Sequence, residues 1–167
     1  MSSRPSEIRT LIVEPSAHMA DLVGLMLRSL GIRSVDSVRT LGDAVSRLAT
    51  HTYGLVLIEA ELCNIDQFQA LRSLRQAVDH PNRHVPVIMM AASPDVSTVA
   101  RARDAGINEF LRKPFSAEHI KLRLEAIQAG TRSFVETEVY SGPDRRRRTG
   151  PGNKRRRATD PSDKQSA

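Results

Sequence analysis

Five short apolar runs alternate with segments of helical periodicity, and this alternation is the feature that most restricts the fold. Residues 55–58 are apolar at every position, as expected for a strand buried on both faces of a parallel sheet. The other runs lie at 8–13, around Val35, at 86–90 and at 109–111. Alternating strands and helices predict an α/β fold with a doubly wound parallel sheet, whose ligand sites lie at the carboxyl ends of the strands.

The segments between these runs repeat apolar residues at the spacing of an amphipathic helix. Ser16 is a good N-cap for the first helix, and Gly31 stands where a helix commonly ends. We expect the Leu, Val, Ile and Met residues of the runs and of the helices to form the core. The predicted helices cover residues 17–30, 41–48, 67–78, 96–105 and 116–129.

Several classes of protein are excluded by composition. No run of 18 apolar residues occurs, so no membrane span is predicted, and the polar N-terminus does not resemble a signal peptide. Cys63 is the only cysteine of the 167 residues, which excludes a disulfide framework and a Cys-pair metal site. The five histidines are scattered, so we expect no metal site. With neither a membrane span nor a signal peptide predicted, we expect a cytoplasmic protein.

Positive charge is concentrated near the C-terminus. The net charge is +6, of which residues 1–130 contribute +1 and the remainder +5. Two basic blocks, 145–148 and 154–157, lie in a Pro/Gly-rich tail. We therefore divide the chain into a body (1–130), a linker (131–140) that could form a strand on binding, and a tail (141–167) that is predicted to be disordered when free. From here on, residues 141–167 are called the arm.

Segments around the predicted strand ends carry a family resemblance. Residues 105–115, AGINEFLRKPF, resemble the AGAxxFLxKPF segment of bacterial response-regulator receiver domains, and residues 11–16, LIVEPS, resemble that family's LIVDDS. Residues 57–66 and 86–92 resemble its third strand with the following loop and its fourth strand. The resemblance covers residues 8–128, is to the single-domain CheY-like kind, and implies a (βα)5, flavodoxin-like fold.

In such a receiver, two acidic residues after strand 1 help to bind Mg²⁺, and an Asp that ends strand 3 accepts a phosphoryl group. A Ser or Thr that ends strand 4 and a Lys after strand 5 then contact the phosphoryl group. Residue by residue, the resemblance places Glu14, Pro15, Glu59, Ala91 and Lys113 at these positions. Only Lys113 has the side chain that the family uses there.

The departures predict a degenerate phosphorylation pocket. Pro15 removes a carboxylate from a site that binds a hard divalent ion, and Ala91 removes a hydroxyl. Glu59 is one methylene longer than Asp, which displaces its carboxylate from the in-line position. We expect no phosphotransfer, no enzyme activity, and an ion pair between Glu59 and Lys113. That pair is either a constitutive substitute for the phosphorylated contact or a filler of the pocket. By resemblance, the bond from Lys113 to Pro114 is cis.

The arm contains a loose internal repeat, because Gly-Pro recurs at 142 and 150 and each copy is followed by a basic block. Two similar half-sites suggest a ligand with two-fold symmetry. Seven of the eight block residues are Arg, whose planar guanidinium can bind phosphate or the O6 and N7 edge of guanine with two hydrogen bonds. Asp144 and Asp160 can accept hydrogen bonds from guanine, and Tyr140 can stack on a base.

This arm is similar to the arginine-rich tail of the Cle proteins, which are CheY-like effectors of cyclic di-GMP. The resemblance implies that the arm binds this second messenger and that the body docks on the flagellar motor switch, as a monomer and without a further cofactor. Ordering the arm costs about 1–2 kcal/mol per residue, so we expect a ligand touched by many residues, such as a stacked cyclic di-GMP dimer. The implied ligand-binding residues are Tyr140, Asp144, Arg145, Arg146, Arg147, Arg148, Arg155, Arg156, Arg157 and Asp160.

Three other interpretations stay open at this stage. The basic blocks could bind nucleic acid or another polyanion through phosphates. The body could be an ordinary phosphorylated receiver, or the arm could serve only solubility.

In receivers the usual output face is helix 4, strand 5 and helix 5, here about residues 96–128, and Phe110 has the family's aromatic switch position.

Overall fold

A five-stranded parallel sheet in the order β2-β1-β3-β4-β5 is the centre of the computed structural model, which describes residues 8–66, 68–130, 134–136 and 141–143. The predicted fold class is confirmed, and the first strand begins two residues later than expected. The strands of the sheet are β1 (Thr10–Val13), β2 (Val35–Val38), β3 (Leu55–Glu59), β4 (Val87–Ala91) and β5 (Glu109–Arg112).

Six helices connect and cover these strands. The Ser16 hydroxyl accepts a hydrogen bond from the Met19 amide and so caps the first helix as predicted. Gly31 and Gly106 end two of the helices with φ of 86° and 102°, a conformation that glycine adopts without steric cost. The helices are α1 (Ala17–Ser29), α2 (Leu41–Thr50), α3 (Ala60–Ile65), α4 (Gln69–Gln76), α5 (Val96–Ala105) and α6 (Ala117–Gln128).

The sheet separates two hydrophobic cores, because successive strand side chains point to opposite faces. On one face, Ile12, Leu57 and Met90 pack with residues of α1 and α6. On the other face, Val13 and Ile58 pack with residues of α2, α3, α4 and α5. Strands β1, β3 and β4 are buried at every position, as the uniformly apolar runs predict.

The helix predicted over 67–78 is wrong in its bounds, because α4 is shorter than predicted at both ends. A further helix, α3, was not predicted; it precedes α4, and the two are separated by a break at Phe68. Phe68 has φ of 64° and is 1% exposed. The two carboxylate oxygens of Asp66 accept the amides of Phe68 and Ala70, each at 2.9 Å. These local hydrogen bonds compete with a continuous helix.

The expectation that every apolar residue of the helices lies in the core is also wrong. Six of these residues are 38–88% exposed because they lie on the outer side of a helix or just beyond its end. They are Leu22, Leu25, Val45, Val78, Val96 and Leu122. In the described part of the chain, no helix combines the length and apolar character needed to cross a membrane.

A buried arginine joins two loops at the amino ends of strands β4 and β5. Arg75 of α4 is 1% exposed, and its guanidinium donates to the carbonyl oxygens of Arg83, Val85 and Gly106 at 2.5, 2.8 and 3.0 Å. A Cβ atom on Gly106 would lie 2.9 Å from Arg75 Nε. Glycine at this position therefore serves both the turn and the close approach of the arginine.

A short antiparallel hairpin follows the body. Strand β6 (Phe134–Glu136) pairs with β7 (Ser141–Pro143), with Val135 opposite Gly142. Strand β6 lies in the linker, where a strand on binding was expected, and β7 falls in the arm. Strand β7 lies beside α4 and α5.

Candidate functional site

The carboxyl ends of β1, β3, β4 and β5 bring the predicted pocket residues together. Glu14 follows β1, Glu59 ends β3, Ala91 ends β4 and Lys113 follows β5. Parallel register sets these ends side by side, since Val13 pairs with Ile58 and Ala91 with Arg112. Pro15, the fifth predicted residue, is exposed beside the pocket.

The ammonium of Lys113 lies between two carboxylates. It donates to Oε2 of Glu59, which confirms the predicted ion pair, and to Oε2 of Glu14 at 3.1 Å. Glu14 was not predicted as a partner, although its place on the strand next to β3 could have indicated it. We call Glu14, Glu59 and Lys113 the ammonium triad. Their side chains are 5%, 9% and 20% exposed.

Backbone hydrogen bonds position the triad. The amide of Lys113 donates to the carbonyl of Ala91 at 2.8 Å, which continues the pairing of β4 and β5 by one residue. The amide of Ser16 donates to Oε1 of Glu14 at 3.0 Å. The bond between Lys113 and Pro114 is cis, as the resemblance implied.

Burial and ion pairing act against each other in the triad. Burial raises the pKa of Glu59 above its ordinary 4.5, and the hydrogen bond from Lys113 opposes this only in part. Burial lowers the pKa of Lys113, but the hydrogen bonds to Glu59 and Glu14 outweigh it, so this pKa is raised above 10.5. The ammonium is therefore charged at neutral pH.

The donor set of the pocket does not fit a divalent cation. Mg²⁺ requires several oxygen ligands in near-octahedral geometry. Both oxygens of Glu14 and one of Glu59 already accept hydrogen bonds from the chain, and Pro15 has no side-chain oxygen. The ammonium of Lys113 lies between the carboxylates that would bind the metal. In the described ranges, no group of three or more His, Cys, Asp or Glu residues is arranged to hold a metal ion.

The end of β4 carries no hydroxyl. Ala91 is 4% exposed. Its methyl group occupies the position at which a receiver has the hydroxyl group of Ser or Thr. Phe110 on β5 is half-buried, and the guanidinium of Arg103 lies 5.7 Å from the centre of its ring. The pocket thus keeps the Lys and the aromatic position of a receiver but has no hydroxyl to contact a phosphoryl group.

The predicted ligand-binding residues of the arm are outside the described residues. This applies to Tyr140, to residues 144–148 and to residues 155–160. Their assignment stays a prediction from the sequence.

Comparison with known proteins agrees with this geometry. Residues 10–135 match the family model described as response regulator receiver domain. The chain belongs to this family. The receiver is similar to chemotaxis protein CheY-3 of Vibrio cholerae, with 26% identity over 120 residues that cover 72% of this chain and 91% of the relative.

Solved receivers share the fold. The receiver domain of the sensor histidine kinase PA1611 from Pseudomonas aeruginosa PAO1, a structure with a magnesium ion in its active-site cleft, is 29% identical, with a TM-score of 0.61. The similarity covers 71% of this chain and 95% of that one. The response regulator CheY4 of Vibrio cholerae has 16% identity and a TM-score of 0.60, and the similarity covers 73% and 97% of the two chains.

Acetyl phosphate with Mg²⁺ is expected to leave the receiver unphosphorylated, because the triad fills the site and Ala91 cannot contact a phosphoryl group. Intact-mass spectrometry after incubation checks this. The matched control is the triple variant Pro15→Asp, Glu59→Asp, Ala91→Thr, which restores the family's side chains and is expected to gain one phosphoryl group. Stoichiometric labelling of the unmodified chain at Glu59 would contradict the prediction.

Proposed function

We propose that this receiver is a cyclic di-GMP effector. The arm binds the dinucleotide and orders, and the ordered arm controls docking of the body on the flagellar motor switch. The observation that carries the proposal is the ammonium triad. A receiver that has Pro15 and Ala91 in place of a carboxylate and a hydroxyl, and whose two carboxylates are both paired with Lys113, needs its input from another part of the chain.

The arm is the part of the chain best suited to supply that input. It holds both basic blocks, while residues 1–130 carry a net charge of only +1. Arg rather than Lys in seven of eight block positions favours planar, bidentate recognition of guanine and phosphate over simple charge attraction. Asp144 and Asp160 would weaken binding to a general polyanion, but they suit the N–H donors of guanine.

The energy of ordering favours a ligand with many contacts. Fixing about 15–20 residues costs about 1–2 kcal/mol each for the backbone, whereas one bidentate Arg–guanine pair contributes about 1–3 kcal/mol. A stacked dimer of cyclic di-GMP offers four guanines and four phosphates to the two blocks. Binding therefore couples to folding of the arm and weakens with salt.

The position of β7 links the arm to the output face of the body. Strand β7 lies beside α5, and the first basic block begins two residues after β7 ends. Helix α5, strand β5 and helix α6 form the face that receivers use for partners, and Val96 and Leu122 are exposed on these helices. On the proposed function, the ligand binds close along the chain to a strand that lies beside this face.

Isothermal titration tests the proposal. At about 150 mM salt, we expect cyclic di-GMP to bind with a Kd of about 1 μM or tighter, with more than one ligand per chain at saturation. Replacing Arg145 and Arg146 with alanine should weaken binding at least about tenfold, which corresponds to about 1.4 kcal/mol. The matched control replaces Arg28 and Arg33, which are exposed on the body, and should leave the affinity unchanged.

GTP and a short oligonucleotide separate this function from its alternative. Binding of the oligonucleotide in place of cyclic di-GMP would instead make the arm a nucleic-acid-binding segment on a receiver adaptor. Equal loss in the control variant would show that binding depends on total charge and not on the arm.

A further inference from the structure

An apolar cavity of about 490 Å³ lies between α2 and α4, on the face of the sheet away from α1 and α6. Leu41 and Leu48 of α2 line one wall, and Leu71 and Leu74 of α4 line the other. The floor consists of strand residues, namely Val13, Val56, Ile58 and Val87. Packed protein interiors rarely leave a void larger than a water molecule, so a cavity of this size is a candidate ligand site.

The depth of the cavity favours a small molecule over a protein partner. Strand residues line its floor, and their exposure of only 0–8% leaves a narrow way in, which suits a small molecule better than a helix or loop. Cavities that bind small ligands are commonly about 300–1,000 Å³. Val45, which is 51% exposed, lies at the opening on α2.

The lining offers little to a charged ligand. Asp66 is one of its few polar residues, and both of its carboxylate oxygens already accept backbone amides at 2.9 Å. Nδ1 of His80 accepts the amide of Asn82 at 3.1 Å. Burial raises the pKa of the Cys63 thiol to about 12, so it lines the wall as a neutral group. Burying a charge here without a partner would be costly.

One wall of the cavity carries backbone strain. Phe68 lines the cavity with φ of 64°, a left-handed conformation that costs a bulky residue about 1–3 kcal/mol. It occurs at the break between α3 and α4, where the carboxylate and the carbonyl of Asp66 accept amides of the first turn of the new helix. A wall built from two short helices with a break can shift more easily than one continuous helix.

We propose that this cavity binds an uncharged, largely apolar small molecule, such as a short hydrocarbon chain or a neutral aromatic ring system. The described residues that line the site all belong to the body, and the proposal does not rest on the arm's ligand. Val13 and Ile58 of the floor directly precede Glu14 and Glu59, so the occupant contacts the residues next to the ammonium triad.

The neutral fluorescent probe N-phenyl-1-naphthylamine tests the site in the full chain. We expect saturable binding, with chemical shift changes of methyl groups confined to Leu41, Leu48, Leu71, Leu74 and their neighbours in the cavity. Val45→Trp places an indole in the opening and should weaken binding at least about tenfold. The matched control is Leu25→Trp, at a residue that is 60% exposed on α1 across the sheet, and it should bind the probe as the unmodified chain does.

Thermal unfolding of both variants verifies that they fold. The proposal is overturned if the probe shows no saturable binding up to its solubility limit. It is also overturned if Val45→Trp binds as tightly as the control, or if the shifted methyl groups belong to the other core. Because the arm is intact in each variant, unchanged binding of cyclic di-GMP keeps this test distinct from that of the proposed function.

Discussion

Replacing Lys113 with methionine is expected to lower the free energy of unfolding by about 2–4 kcal/mol at neutral pH. Removal of one partner from a fully buried ion pair costs about 3–5 kcal/mol, because the remaining charge stays buried without compensation. Here the side chain of Lys113 is 20% exposed, which lowers the expected value somewhat. Two carboxylates, Glu14 and Glu59, would then face each other without the ammonium between them.

The loss of stability should depend on pH in a defined direction. Burial already raises the pKa of Glu59, and without Lys113 the main opposing influence is gone. A carboxyl with a raised pKa in the folded state binds protons that the unfolded chain releases, so the folded state loses stability as pH rises through that pKa. The penalty of Lys113→Met should therefore shrink as pH falls toward the ordinary pKa of Glu, where Glu59 is protonated.

Urea denaturation at about pH 7.5 and about pH 5 measures both effects. Lys121→Met is the matched control, since Lys121 is 51% exposed and pairs with Glu118 and Glu125 at 3.7 and 3.9 Å. Such surface pairs contribute about 0–1 kcal/mol. Equal losses in the two variants, or a loss that grows at low pH, would contradict the account of the triad.

Replacing Arg75 with methionine is expected to lower the free energy of unfolding by about 3 kcal/mol. The carbonyl oxygens of Arg83, Val85 and Gly106 would lose a buried donor, and each unsatisfied buried group costs about 1–3 kcal/mol. Relief from burying a charge offsets part of this sum. The same guanidinium approaches Asn108 Oδ1 at 3.4 Å, and that oxygen also accepts the amide of Val87.

The conservative variant separates geometry from charge. Arg75→Lys keeps the positive charge, but the single ammonium of a shorter side chain cannot donate to three carbonyl groups in different directions as the guanidinium does. We expect it to lose most of the same stability. Arg28→Met removes an exposed arginine from α1 and should change stability by less than about 0.5 kcal/mol. Chemical denaturation checks all three variants. A fully stable Arg75→Lys protein would show that charge alone matters.

Strands β3 and β4 were readable from the sequence because residues 55–58 and 86–90 are uninterrupted apolar runs, and only burial on both faces tolerates such runs. The pairing of Glu59 with Lys113 was expected because the resemblance places both residues in the phosphorylation pocket of a receiver. Glu14 was not assigned to Lys113, since the resemblance gave it a role beside Pro15 instead. Whether an ammonium contacts one or both of two neighbouring carboxylates depends on side-chain geometry and not on position in the chain.

Other features could not be read from local sequence. The break at Phe68 depends on the burial of that side chain and on the capping hydrogen bonds of Asp66, and both are set by tertiary packing. Arg75 was not foreseen because arginine in an amphipathic helix is ordinarily exposed. The cavity between α2 and α4 is a volume left by packing, and no pattern of residue types predicts it.

The ammonium triad has a consequence for time as well as for charge. A phosphorylated carboxylate is an acyl phosphate, and hydrolysis of that bond limits the lifetime of the signal in an ordinary receiver. The contacts of Lys113 with Glu14 and Glu59 involve no covalent bond that must be formed or hydrolysed, so hydrolysis sets no lifetime for them. Under the proposed function, the duration of a signalling state would be set by how long the bound ligand stays in place.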